Sequence, residues 1–180
     1  GLPAAHFTLA TCYLNGIGTA TDPARALHHA AVAADAPHAA SLNLLGMMFD
    51  TGVGTPVDRA RALQCYIRAA RDHSAAAMYN IAMHYTSAWV LDFDPRMAAE
   101  WFARAAMFGS LAARVELGYL HRDATPPDAA EAARQFGLAA FGGEPRAQRE
   151  YARCLLLGEG LARNALRAQL YLQRAAGAGH

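Results

Sequence analysis

The sequence predicts an all-α protein built as a solenoid: five helix pairs, about ten antiparallel helices, stacked in a single domain over residues 1–180. Three observations carry that expectation. Matching segments start near Ala4, Ala40, Ala76, Ala112 and Arg146, which are 36, 36, 36 and 34 residues apart. Each segment holds two apolar-periodic stretches of helical length. Between them recurs the same punctuation, Gly16-Ile17-Gly18 then Asp22, Gly52-Val53-Gly54 then Asp58, and Gly158-Glu159-Gly160 then Asn164. The repeats therefore run over about residues 4–39, 40–75, 76–111, 112–145 and 146–180.

The first helix of each repeat carries an apolar residue, a small one, and an aromatic three positions on, as in Leu45, Gly46 and Phe49. The small residue admits a neighbouring helix, and the aromatic is expected to fill the gap beside it. Gly-x-Gly ends the helix by supplying positive φ. Asp22, Asp58, Asp94, Asp128 and Asn164 stand where the second helix needs an N-cap, each worth about 1 kcal/mol. Pro23 and Pro95 follow two of them, where a missing N–H costs nothing. Late in the second helix, Ala33-Ala34, Ala69-Ala70, Ala105-Ala106, Ala139-Ala140 and Ala175-Ala176 allow tight crossing. Gly109, Gly143 and Gly179 close the last three units. Repeat 3 departs from the pattern, with Ala88 and Val90 for the loop glycines and Trp89, Leu91 and Phe93 around them.

This pattern resembles the Sel1-like repeat family, relatives of tetratricopeptide repeats. Ala40, Leu45-Gly46, Phe49, Gly52, Gly54, Asp58, Arg61-Ala62, Cys65-Tyr66 and Ala69-Ala70 match the family unit nearly throughout, and the likeness covers essentially the whole chain. A period of about 36 with Gly-x-Gly separates it from the 34-residue tetratricopeptide unit. The resemblance implies a right-handed α-α superhelix whose first helices line a concave groove. It also implies a non-catalytic adaptor or scaffold of bacterial envelope, secretion, signalling or host-interaction assemblies. The rival is a repeat domain attached to a cell-wall-active or hydrolytic enzyme whose catalytic part lies outside this chain. Some cysteine-paired relatives are linked to β-lactam binding, but their regular cysteine pairs are missing here.

At 100° per residue, positions three, seven and ten after each repeat start share an arc away from the core stripe. They give Phe7, Thr11 and Leu14; Asn43, Met47 and Asp50; Tyr79, Met83 and Thr86; Val115, Tyr119 and Arg122; Arg149, Arg153 and Leu156. Methionine and tyrosine suit a protein partner. Residues 146–174 hold Arg146, Arg149, Arg153, Arg163, Arg167 and Arg174 against Glu150 and Glu159, so the partner is expected to carry acidic groups toward repeat 5. The alternative is that some of these residues pack within or between repeats. A second candidate surface is the Trp89, Leu91 and Phe93 loop, either an apolar knob or a plug between second helices. Terminal repeats of solenoids carry polar caps. The ends here are apolar and the chain starts at Gly1 without Met, so it is expected to be a piece of a longer protein; the alternative is an end covered by a partner, which includes self-association through the uncapped ends.

Composition removes several other classes. The chain has 16 arginines, no lysine, 15 acidic residues and a net charge of +1, which leaves no electrostatic case for nucleic acid. No run of 18 apolar residues or signal-peptide pattern occurs, so no membrane insertion is expected and the compartment stays open. Cys12, Cys65 and Cys154 lack CxxC spacing and read as small packed residues. Eight histidines form no HExxH or zinc pattern. His28-His29 point about 100° apart on a helix, and a metal shared by His84 and His121 is the weaker reading beside ordinary packing. No cofactor, metal or catalytic residue is expected.

Overall fold

A computed structural model describes residues 1–88 and 90–177. Ten helices form, with no strand among the described residues: α1 (Leu2–Asn15), α2 (Pro23–Ala34), α3 (Ala39–Thr51), α4 (Arg59–Arg71), α5 (Ala75–Ser87), α6 (Pro95–Met107), α7 (Leu111–Arg122), α8 (Ala129–Phe141), α9 (Pro145–Leu157) and α10 (Ala165–Gly177). The chain divides into two compact units, Gly1–Trp101 and Phe102–His180. In the first, α1 packs on α2 and α3 on α4, and the pairs join through α2–α3 and α4–α5 contacts. In the second, α7 packs on α8 and α9 on α10, joined through α8 and α9.

All five expected second-helix caps form. The side chains of Asp22, Asp58, Asp128 and Asn164 accept from the N–H of Arg25, Arg61, Glu131 and Arg167 at 2.9–3.0 Å. Asp94 accepts from both Arg96 and Met97. Gly16, Gly52 and Gly158 end their helices in the left-handed region, with φ of 69°, 75° and 78°. In repeat 3 Ala88 takes the same conformation, φ 51°. An L-residue there carries a Cβ penalty that glycine escapes, so Ala88→Gly is expected to stabilise the protein by about 1 kcal/mol. Thermal denaturation checks it, and a lowered melting temperature contradicts it.

The small first-helix residues do admit a close neighbour, but not the one expected. A Cβ at Gly46 would lie 2.6 Å from the ring of Tyr66, and one at Gly118 would lie 2.4 Å from the ring of Phe136. The filling aromatic thus comes from the second helix. Phe49 instead stays half-buried with the Arg61 guanidinium 4.6 Å over its ring. The second loop glycine has a further use. A Cβ at Gly54 would meet the carbonyl oxygen of Pro23 at 2.3 Å, and one at Gly160 would meet that of Ala129 at 1.9 Å. Each loop therefore seats on the first turn of the preceding repeat's second helix.

Cores are alanine-rich with a few large side chains. Ala26, Ala30 and Ala33 are sealed in the first unit, beside Leu42, Tyr66 and Ile81 further along it. Val115, Phe136, Leu155 and Tyr171 centre the second. Cys65 and Cys154 are buried and Cys12 half-buried, all unbridged. Burial pushes the Cys65 and Cys154 thiols up, away from the reactive thiolate.

Candidate functional site

The first-helix faces of the two units differ in chemistry. In the Gly1–Trp101 unit, the hydroxyls of Thr11 and Thr86 donate to Phe7 and Met83 carbonyls on their own helices, 3.0 Å each. Phe7 packs edge-on against His38, the residue that caps α3, 5.6 Å between centroids. The centre of the face is an amide pair: Asn80 on α5 donates from Nδ2 to Asn43 Oδ1 on α3 at 3.0 Å. Asn43 Nδ2 in turn donates to Met47 Sδ at 3.6 Å, a weak acceptor. Met47 is 45% exposed, and Tyr79 and Met83 are half-buried beside the pair. Position-counting named Asn43, Met47, Tyr79 and Met83 but passed over Asn80, whose polarity between Tyr79 and Ile81 is the signal that would have found it.

Asp50 lies deeper than expected, its side chain 15% exposed. One carboxylate oxygen sits 3.5 Å from both the Tyr66 hydroxyl, which donates to it, and His84 Nε2. Arg59 approaches the other oxygen at 3.7 Å. Burial raises the Tyr66 phenol and lowers the His84 imidazole, the latter against the pull of Asp50. A carboxylate, phenol and imidazole suggest acid–base work, but a general base must touch its substrate. His84 and Tyr66 are 0% and 1% exposed, so the cluster is a polar brace tying α3, α4 and α5 together beneath the face. His84 shares the buried stripe of α5 with Ala77 and Ile81, but its meeting with Asp50 of α3 and Tyr66 of α4 was not legible, because it depends on how the helices pack.

In the Phe102–His180 unit, Val115 is a correction: it is fully buried, an apolar side chain turned inward from a boundary position. Tyr119 and Arg122 on α7 and Arg149 and Arg153 on α9 do reach the face, and Leu156 is exposed. The arginines are not free cations. Arg122 contacts Asp123 at 2.7 Å and Glu150 at 3.6 Å, and Arg153 contacts Glu150 at 3.2 Å and Glu159 at 3.1 Å. Arg146 reaches across from α9 to Glu116 at 2.9 Å. Tyr119 donates to Glu150 at 3.3 Å under the Arg122 guanidinium. Arg163 donates to the Leu156 carbonyl, while Arg167 and Arg174 lie over Tyr151 and Tyr171. On this face Arg149 alone, among the described residues, has no carboxylate partner.

Of the second candidate surface, Trp89 lies outside the described residues. Phe93 is 64% exposed, so it plugs nothing, and Leu91 is half-buried. Among the described residues no three His, Cys, Asp or Glu side chains come together as metal ligands. No helix among the described residues is long and apolar enough to cross a membrane.

The Sel1 repeat model matches five times, over residues 3–38, 39–74, 75–109, 111–140 and 145–180. No curated protein matches the chain by sequence. Among solved structures, the chain is similar to a Sel1 repeat protein from Oxalobacter formigenes, at 23% identity and TM-score 0.87, covering 98% of this chain and 71% of that one. It is also similar to a protective antigen present in uropathogenic Escherichia coli strains that displays an SLR fold, at 24% identity and TM-score 0.88, covering 99% and 38%. An immunity protein from Pseudomonas aeruginosa matches at 20% identity and TM-score 0.69, covering 98% and 66%. At these identities the likeness is one of fold.

Proposed function

Since this chain belongs to the Sel1 repeat family, we propose that it is a non-catalytic scaffold that holds a peptide segment of a partner protein on the first-helix face of its N-terminal unit. Sel1 repeat proteins are protein-interaction modules, and the fold is generally without catalysis. The observation that carries the reading is the Asn43–Asn80 pair. It leaves one carbonyl oxygen and amide hydrogens open on a partly exposed face, flanked by Met47, Tyr79 and Met83. A peptide group offers the complementary N–H and C=O, whereas the side of a helix has its main-chain groups already paired. The favoured occupant is therefore an extended segment with an apolar side chain beside the amides. On the Phe102–His180 unit taken by itself, Arg149 is the cation open to an acidic group, since Arg122, Arg146 and Arg153 of its first-helix face are already matched. The neighbours described as a protective antigen and an immunity protein support a setting in bacterial envelope, secretion, signalling or host-interaction assemblies.

The test uses peptides selected from a random displayed library against the whole chain. Tyr79→Ala with Met83→Ala, shown folded by circular dichroism, is expected to weaken the selected peptides by more than tenfold, the scale of about 1.4 kcal/mol for interface anchors. Unchanged affinity places the site elsewhere and overturns the reading.

A further inference from the structure

Near the N-terminus a group of rings joins the first two helices. His6 on α1 and His29 on α2 meet Nδ1 to Nδ1 at 2.9 Å. Their ring centroids are 5.1 Å apart with planes 34° from one another, so the two nitrogens lie nearly on the line between the rings. Two lone pairs aimed at each other do not converge on a third point, which disfavours a metal and leaves a shared proton as the linkage. One nitrogen donates and the other accepts. The contact holds while at least one ring is neutral and accepts; once both rings are charged, N–H faces N–H and two positive charges lie within one hydrogen-bond length.

The surroundings supply no counter-charge. Tyr13 of α1 stacks on His29, 5.6 Å between centroids and 7° from parallel. His28 lies edge-on to His29 at 5.3 Å. Arg25 sits 5.7 Å over the Tyr13 ring, its carboxylate partner being the cap Asp22. Just before α3 the titratable group is its cap His38, against Phe7 and within 2.6 Å of Ser41 Oγ. Neither ring of the pair meets a carboxylate among the described residues. α1 is fastened mainly to α2, with a lesser contact to α3.

We propose that the His6–His29 contact is an acid-sensitive latch, which pins α1 to α2 at neutral pH and releases it in mild acid. Burial, then the charges of His6, His28 and Arg25, lower the His29 imidazole. The sign follows: the unfolded chain binds more protons, so the contact's stability is complete above the ordinary histidine range and is lost as the pH falls through it. Because α1 carries Phe7 and Thr11, release also removes the first edge of the candidate binding face.

Hydrogen exchange on the whole chain at about pH 7.5 and about pH 5, within the range where histidine switches, tests the latch. After correction for intrinsic rates, α1 protection is expected to fall at least tenfold in acid relative to α7–α10. In His6→Gln with His29→Gln, which keeps hydrogen-bonding amides without the charge, α1 protection is expected to be the same at both pH values. Unchanged α1 protection in the wild type, or an equal acid loss in the variant, overturns the proposal. If the variant does not fold, nitrogen NMR of the wild-type rings decides. Both rings taking up protons while α1 stays protected also overturns it, and protonation together with loss of protection supports it.

Discussion

Gly160→Ala is expected to destabilise the repeat 4–repeat 5 junction by about 3 kcal/mol, one of the largest losses available from a single added methyl group. Two effects combine. Gly160 sits at φ 73°, where an L side chain costs roughly 1–2 kcal/mol. The added Cβ would also fall 1.9 Å from the Ala129 carbonyl oxygen and 2.7 Å from the Ala130 nitrogen, backbone that cannot swing aside. The loop must therefore lift off α8. Gly18 is the internal control: its φ is 71°, but its Cβ would meet nothing within 4 Å. Gly18→Ala should cost only the conformational part, about 1 kcal/mol. Repeat stability is governed by nearest-neighbour interfaces, so hydrogen exchange in α8 and α9 is the sensitive measurement. Equal costs at the two glycines would show that the loop does not seat as described.

Phe136→Ala is the second large effect, with an expected loss of about 3–5 kcal/mol from removed burial and the cavity left behind. The ring is fully buried, fills the space over Gly118, and supports Tyr119 at 5.3 Å in an edge-on contact. Gly118→Ala drives a methyl group into the same ring and should cost about 1–3 kcal/mol by overpacking. Combined, the two changes are expected to cost clearly less than their sum, because the vacated ring leaves room for the methyl group. Denaturant melts of the two single variants and the double variant decide, and strict additivity contradicts the packing.

The fold was legible because its punctuation is local. An N-cap needs one side-chain oxygen at one position, and Asp22, Asp58, Asp94, Asp128 and Asn164 could be read without knowing what surrounds them. The left-handed turns at Gly16, Gly52 and Gly158 were legible for the same reason. Packing partners were not. Periodicity on α3 shows that Gly46 leaves a gap, but not that Tyr66 of α4 fills it rather than Phe49 of α3. The binding face was half legible. Counting three, seven and ten residues from each repeat start found Asn43, Met47 and Tyr119, missed Asn80 and Glu150 one position away, and included Val115, which turns inward. The arginine-rich end misled most, since long side chains choose partners in three dimensions. Only the Glu150–Arg153 spacing, one turn apart on one helix, announces its pair in advance.

That matched ladder on α7 and α9 has a kinetic meaning. Arg122, Arg146 and Arg153 are paired with Glu116, Asp123, Glu150 and Glu159 within the same surface, and Arg149 stands beside them without a carboxylate partner among the described residues. Opposite charges a few ångströms apart cancel well inside the screening distance of about 8 Å in physiological salt. The paired charges therefore add little to the steering of an arriving molecule, and changing the ionic strength alters their share of the encounter rate little. Selectivity there comes after collision, from shape and from how long a correctly fitted partner stays.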